Sequence, residues 1–310
     1  MIETRDIDST SNWRVSIIGF GLMGSQISQV FALHGFRVIG QDVDPNQLVR
    51  GMNIIRNGRY GLESSVAKGR ISAQEAEEAI SRITTTTSLD EALLESDFML
   101  EAVIERLEIK REIFRRAGEI SSKQALLATN TSTLSIAKIA QGLPANTRSR
   151  IFGMHFFNPP QIMKLVEIVK TDETDEGILK SASVVATKLG KTSIMVKDIP
   201  GFVANRIGIL VFSEASSLLE KGIATVQDID NAMKLGYGYP LGPFELGDLV
   251  GLDTRLRNMQ ALYEETKDER FKPPSLLRTL VSEGYLGDPK LRKGSKGGYY
   301  EFFGLKRHSD

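Results

Sequence analysis

His155 and Glu167 are two side chains whose types and spacing suggest acid–base chemistry. They lie in the stretch IFGMHFFNPPQIMKLVEIV, residues 151–169. Apolar residues on both sides of the Asn-Pro-Pro break at 158–160 predict two short strands joined by a loop. If these strands pair antiparallel, the Glu167 carboxylate fixes the imidazole tautomer and leaves the second ring nitrogen of His155 as a proton acceptor. The alternative is a sheet histidine beside a solvated strand-edge charge.

The composition leaves His155 as the main histidine candidate. Of the three His residues, His34 lies in a predicted helix-to-strand turn and His308 in the polar tail. The 310-residue chain contains no Cys, which excludes disulfides, thiolate nucleophiles and Cys-built metal sites. A chain without cysteine fits a reducing compartment, and we predict a cytoplasmic protein without a bound metal.

The charge balance argues against two classes of partner. Lys plus Arg equals Asp plus Glu at 39 each, so no overall field favours nucleic acid or an anionic membrane. No apolar run is long enough to span a membrane, and residues 1–12 lack the basic start and apolar core of a signal peptide. We therefore predict no nucleic-acid or membrane partner, and the length of the chain suggests two domains.

A glycine-rich turn follows the first predicted strand, residues 15–19. It has the pattern G-x-G-x-x-G between a strand and a helix, which is typical of a dinucleotide site: Gly19, Phe20, Gly21, Leu22, Met23 and Gly24. Asp42 closes the second predicted strand at the spacing of a residue that binds the adenosine ribose, and its charge favours NAD over NADP. Asp44 is a nearby alternative for that role, and a glycine-rich turn without a ligand is the alternative for the whole motif.

Strands and helices alternate up to residue 197. This alternation predicts a Rossmann-type doubly wound α/β sheet, with a helical hairpin inserted over residues 45–82. Glu105, Lys110 and Ser132 follow predicted strand ends, where ligands of such sheets bind. Alternatively, Ser132 or Thr133 caps the next helix and the two charges are simply solvated.

The remaining chain has only helical periodicity. We predict a first domain over residues 1–197 and an all-helical second domain over residues 198–310. Asn205 lies one turn into the first helix of the second domain. Its amide is suited to hydrogen bonding near a ligand, although Asn205-Arg206 is also compatible with a helix start that binds nothing.

The motifs together resemble one family along residues 14–300. They occur in the order GFGLMG, E-x4-K at Glu105 and Lys110, NTS, MHFFNPP, KLVEIV, DIPGFVANR and GYGYPLGPFELGDLVGLD. This combination resembles the NAD-dependent 3-hydroxyacyl-CoA dehydrogenases, including the 3-hydroxybutyryl-CoA type. The family ending K-x-G-x-G-F-Y is altered here, so either Lys293 or Lys296 is its counterpart.

The resemblance implies a role for each matching residue. His155 corresponds to the general base and Glu167 to its orienting partner, while Ser132 and Asn205 hydrogen-bond the reacting oxygen. Further NAD contacts are implied at Glu105, Lys110, Ser132 and Asn158, and a coenzyme A contact at Lys68. The helical domain is implied to form a homodimer.

The implied reaction is the reversible oxidation of an (S)-3-hydroxyacyl-CoA to the 3-ketoacyl-CoA with NAD. Two alternatives stay open from the sequence. One is an NAD-dependent dehydrogenase of a free hydroxy acid or a sugar acid, of the λ-crystallin or gulonate type. The other is a nucleotide-binding relative without catalytic activity. The length of the acyl chain does not follow from the sequence.

Overall fold

A computed structural model of the chain describes residues 13–306; His308 lies outside them. Of these, residues 13–199 form one compact unit and residues 200–306 a second. The sheet of the first unit is built from β1 Arg14–Ile18, β2 Arg37–Gln41, β3 Ile83–Thr86, β4 Phe98–Glu101, β5 Leu126–Thr129, β6 Ile151–Phe156, β7 Leu165–Lys170 and β8 Thr192–Lys197. Its helices are α1 Leu22–Leu33, α2 Pro45–Asn57, α3 Leu62–Ala67, α4 Ala73–Ser81, α5 Leu89–Leu93, α6 Leu107–Ile120, α7 Ile136–Ala140, α8 Ala145–Arg148 and α9 Glu176–Lys188.

The eight strands form one sheet in the order β3-β2-β1-β4-β5-β6-β7-β8. The first six are parallel, β7 runs antiparallel to β6, and β8 runs parallel to β7. The order 3-2-1-4-5-6 of the parallel strands is that of a dinucleotide-binding fold. Strands β4 and β5 are buried along their whole length, as expected for a parallel sheet covered on both faces. The structure confirms the predicted fold class.

The segment inserted between β2 and β3 has three helices where the sequence predicts two. The extra element is the six-residue helix α3, which follows a turn at Gly58 and Gly61. A Cβ atom at Gly61 would lie 2.7 Å from the Arg56 carbonyl oxygen, so this turn requires glycine. The predicted capping box of Ser72 and Glu75 begins α4.

The second unit contains helices and no strand among its described residues. Its elements are α10 Ala204–Glu220, α11 Val226–Tyr237, α12 Pro243–Val250, α13 Leu252–Thr266, a 3-10 turn Glu269–Phe271, α14 Ser275–Ser282 and α15 Tyr299–Phe302. The sequence predicts one helix over residues 248–267, but the chain breaks at Gly251, whose φ is +101°. The guanidinium of Arg292 occupies the place that a Cβ atom at Gly251 would need. No helix in the described part of the chain is long and apolar enough to cross a membrane.

Candidate active site

The three glycines of the turn after β1 have different reasons to be glycine. Gly19 has φ +92°, and a Cβ atom there would lie 2.8 Å from the backbone of Ala102. At Gly24 a Cβ atom would lie 1.8 Å from the carbonyl oxygen of Gly19. At Gly21, by contrast, it would meet no protein atom within 4 Å. The fold thus requires the outer two, while a bare backbone at Gly21 suits the close approach of a pyrophosphate.

Asp42 lies beside this turn and lines a cavity of about 690 Å³ at the carboxyl ends of β1, β2 and β4. Its carboxylate accepts hydrogen bonds from the backbone N–H of Phe20 at 2.9 Å and of Asp44 at 3.1 Å. Asp44 lines the same cavity, but its carboxylate caps α2 and pairs with Arg50 at 2.8 Å. The hydrogen bond from the Asn46 backbone lowers the pKa of Asp44. Asp42 is therefore the better placed of the two for a ribose.

His155 and Glu167 face each other across β6 and β7, where they are direct partners in the antiparallel register. The Nδ1 atom of His155 lies 2.8 Å from Oε2 of Glu167, and the two residues are 5% and 0% exposed. Because a carboxylate accepts, the proton on Nδ1 points to Glu167, and the lone pair of Nε2 is the basic site of the ring. The structure thus has the hydrogen-bonded pair that the sequence pattern suggests, with Glu167 buried instead of solvated.

A second buried charge cluster lies at the ends of β4 and β5. The Nζ atom of Lys110 lies 2.7 and 2.9 Å from the two carboxylate oxygens of Glu101, and 3.1 Å from Oε2 of Glu105. Lys110 is 1% and Glu101 0% exposed. Glu101 also accepts hydrogen bonds from the Thr129 hydroxyl and the Val103 backbone, both at 2.7 Å. Lys110 is therefore not the solvated surface charge that the sequence left open.

Glu105 is the partly exposed member of this cluster, with 36% of its side chain accessible. Its Oε1 atom accepts hydrogen bonds from the hydroxyls of Thr131 and Thr133. Burial opposes ionisation of Glu105, but the charge of Lys110 and the hydroxyl of Thr131 outweigh it and lower the pKa of Glu105. Glu105 therefore stays ionised at neutral pH.

Ser132 lies between Thr131 and Thr133, and its hydroxyl makes no hydrogen bond within residues 13–306. It does not cap α7, because the N-cap is Ser135, whose hydroxyl accepts from the Lys138 backbone. Of the two alternatives for Ser132, the helix cap is wrong. The residue presents its hydroxyl from a loop at the carboxyl edge of the sheet.

Three other candidates belong to other segments of the chain. Asn158 is exposed in the loop after β6, Lys68 is exposed at the carboxyl end of α3, and Asn205 is half-buried in the first turn of α10 in the second unit. Lys293 and Lys296 also belong to the second unit. The roles of these residues stay predictions.

The sequence analysis missed two residues that organise the site. Glu101 is the single charged residue of a buried strand, and that isolation is the signal that could have indicated a buried ion pair. Asn130 follows β5, and its Oδ1 atom accepts the backbone N–H of Phe156 at 2.9 Å. This bond joins the loop of Ser132 to the strand of His155. Among residues 13–306 no group of three or more His, Cys, Asp or Glu side chains could hold a metal ion.

Comparisons with known proteins match both units of the chain. Residues 14–199 match the family model described as 3-hydroxyacyl-CoA dehydrogenase, NAD binding domain. Residues 201–299 match the model described as 3-hydroxyacyl-CoA dehydrogenase, C-terminal domain.

Individual relatives are similar over nearly their whole length. A 3-hydroxybutyryl-CoA dehydrogenase of Bradyrhizobium diazoefficiens is 37% identical over 94% of this chain and 96% of that protein. A probable 3-hydroxyacyl-CoA dehydrogenase of Caenorhabditis elegans is 40% identical over 88% of this chain and 92% of that protein. The crystal structure of (S)-3-hydroxybutyryl-CoA dehydrogenase PaaH1 from Ralstonia eutropha superposes with a TM-score of 0.82 at 35% identity, covering 91% of this chain and 98% of that chain.

Proposed function

Since the chain belongs to the NAD-dependent 3-hydroxyacyl-CoA dehydrogenase family, we propose that it reversibly oxidises (S)-3-hydroxyacyl-CoA thioesters to 3-ketoacyl-CoA. As a member of this family it is an oxidoreductase, and its cofactor is NAD. The observation that supports the proposed reaction most directly is the buried pair of His155 and Glu167 at the edge where such sheets bind their ligands.

In the proposed mechanism His155 is the general base. The substrate hydroxyl gives its proton to Nε2 of His155, while bound NAD supplies the acceptor for the hydride that leaves C3. The proton converts the imidazole to imidazolium, and the carboxylate of Glu167 stabilises that charge through the bond at 2.8 Å. In the reverse direction the imidazolium returns the proton to the ketone oxygen as the hydride arrives at C3.

The oxygen of the substrate needs hydrogen-bond donors as charge develops on it. Ser132 is proposed as one donor, since its hydroxyl is not used by the described part of the protein. Asn205 is proposed as the other, as the resemblance implies. Both hold the oxygen while the proton moves to His155.

NAD binding is proposed to use the turn Gly19-Phe20-Gly21-Leu22-Met23-Gly24 for the pyrophosphate and Asp42 for the adenosine ribose. Glu105, Ser132 and Asn158 are proposed to contact the cofactor beyond the pyrophosphate. Lys110, which pairs with Glu105 at 3.1 Å, is proposed beside them. Lys68 is proposed to bind the coenzyme A part of the substrate, which its exposed position allows.

The experiment that tests this function is NADH consumption with acetoacetyl-CoA, run beside free acetoacetate and beside NADPH. We expect turnover only with the thioester and NADH. Turnover with the free acid would instead support the dehydrogenase of a free hydroxy acid or sugar acid. NADH binding without any turnover would support the non-catalytic alternative.

A homodimer through the second unit is the proposed assembly. Apolar side chains on and after α11 and on α12 are exposed in the single chain: Leu235, Tyr237, Tyr239, Leu246, Leu249 and Val250. Exposed apolar residues on neighbouring elements are typical of subunit interfaces. Light scattering after gel filtration tests this: a dimer mass for the wild type and a monomer mass for Leu235→Glu are expected. A cytoplasmic location, expected from the cysteine-free composition, stays a prediction.

A further inference from the structure

Glu101 and Glu105 both pair with Lys110. Both also accept hydrogen bonds from threonines in or next to the loop that contains Ser132. We propose that Glu101 is a positioning residue for the Ser132 hydroxyl, which acts directly on Thr129 and, through Lys110, on Glu105. This inference rests on the proposed function, because it assigns a purpose to the geometry of Ser132.

The ammonium of Lys110 links the two glutamates. An ammonium has three N–H donors and no acceptor. Three carboxylate oxygens lie within 2.7 to 3.1 Å of Nζ, two from Glu101 and one from Glu105. Because the Lys110 side chain is 1% exposed, solvent screens these ion pairs little.

The two glutamates in turn restrain the loop of Ser132 through hydrogen bonds. Glu101 accepts the hydroxyl of Thr129, the last residue of β5. Glu105 accepts the hydroxyls of Thr131 and Thr133, which flank Ser132 in the chain. The loop is therefore held before Ser132 and on each side of it, while the Ser132 hydroxyl itself stays available for the substrate oxygen.

Thr131 strengthens the same restraint from within the loop. Its hydroxyl oxygen accepts the backbone N–H of Thr133 at 3.4 Å and of Leu134 at 3.0 Å while donating to Glu105. Thr131 is 2% exposed. A loop fixed in this way keeps a donor where charge develops, and a displacement of about 1 Å can reduce a rate by about 10²-fold.

The test compares the Glu101→Gln variant with the wild type. Glutamine keeps the shape of Glu101 but turns an N–H group toward Lys110, which removes part of the counter-charge. We expect kcat for acetoacetyl-CoA reduction to fall about 10- to 100-fold. Because Glu105 and Ser132 are also proposed cofactor contacts, the Kd for NADH, measured by fluorescence titration, should rise by a smaller factor than that by which kcat falls. Hydrogen exchange of residues 130–134 should become faster.

A double-mutant cycle with Ser132→Ala separates positioning from a general structural role. If Glu101 acts through Ser132, Glu101→Gln lowers the rate of the Ser132→Ala enzyme by no more than about twofold. The same loss in both backgrounds would overturn the inference. Unchanged exchange of residues 130–134 would also overturn it.

Thr131→Val provides the test if Glu101→Gln does not fold. It removes the hydroxyl that joins the loop to Glu105 with little change of shape, and we expect the same pattern with a smaller loss of kcat. Thr174→Val is the control, because it removes another buried hydroxyl, which donates to the Ile151 carbonyl at 2.9 Å. Equal rates for Thr131→Val and this control would refute the inference. A wild type without turnover would refute the proposed function alone, since exchange of the loop remains measurable.

Discussion

Replacing Glu167 by Gln tests whether the buried carboxylate stabilises a charged His155. The substitution preserves the volume of the side chain, and the amide oxygen can still accept the Nδ1 proton. It removes the negative charge that faces the imidazolium at 2.8 Å in a position without solvent exposure. A hydrogen bond to a charged group contributes about 1.5–3 kcal/mol, and the transition state loses up to this amount. At about 1.4 kcal/mol per tenfold, kcat should fall about 10- to 150-fold.

The assay is steady-state NADH oxidation with acetoacetyl-CoA, together with NADH affinity measured in the absence of substrate. His155→Gln should lose more, about 10²- to 10⁴-fold, because it removes the base itself. Glu176→Gln is the matched control, since this carboxylate is 75% exposed and lies 3.7 Å from Lys170 on the surface. A Glu167→Gln enzyme with the wild-type kcat, or a loss equal to that of His155→Gln, would refute the division of roles between the two residues.

Three further predictions concern the cofactor site and acid stability. Gly21→Ala should weaken NADH binding about tenfold with little change in Tm. Gly24→Ala, in contrast, should destabilise the fold by about 1–3 kcal/mol. Equal losses of Tm for the two variants in thermal melts would contradict this difference. Asp42→Ser should lower the preference for NADH over NADPH, as measured by the ratio of kcat/KM values. The pKa of Glu105 is lowered in the folded protein, so its ionised form stabilises the fold above about pH 4.5. That stabilisation is lost as the pH falls through the pKa of Glu105 in the folded state. Denaturant titrations should therefore show a smaller acid loss for Glu105→Gln than for wild type.

The parts of the site that depend on local pattern could be predicted from the sequence. The turn of Gly19 and Gly24 needs glycine for contacts within a few residues or with the adjacent strand, and its spacing is visible in the chain. The pairing of His155 and Glu167 follows from two apolar runs separated by a short loop, because such runs pair antiparallel. Local periodicity and turn residues are enough for these features.

Features that depend on residues far apart in the chain could not be predicted from the sequence. Glu101 is bound to Lys110 across a strand-to-helix connection and to Thr129 on the next strand, and no spacing rule connects those three. The break between α12 and α13 likewise depends on Arg292, whose guanidinium donates to the carbonyl of Val250. In both cases a polar side chain far along the chain decides the local structure.

The reversal of strand direction between β6 and β7 determines which chemistry this sheet edge can support. In a parallel sheet the residues at the carboxyl edge come from strand ends and from the loops after them, as Glu101 and Ser132 do here. Because β7 reverses direction, its early residue Glu167 lies beside His155 near the end of β6. A parallel β7 would need a long crossover before returning to that edge. The reversal thus pairs an acid and a base on adjacent rigid strands, where a shift of one residue would turn Glu167 to the opposite face. Moving the register by inserting one residue in the loop at 158–163 should therefore abolish turnover. NADH, which is proposed to bind at β1 and β2, should still bind. Retained turnover would show that the pair is not required.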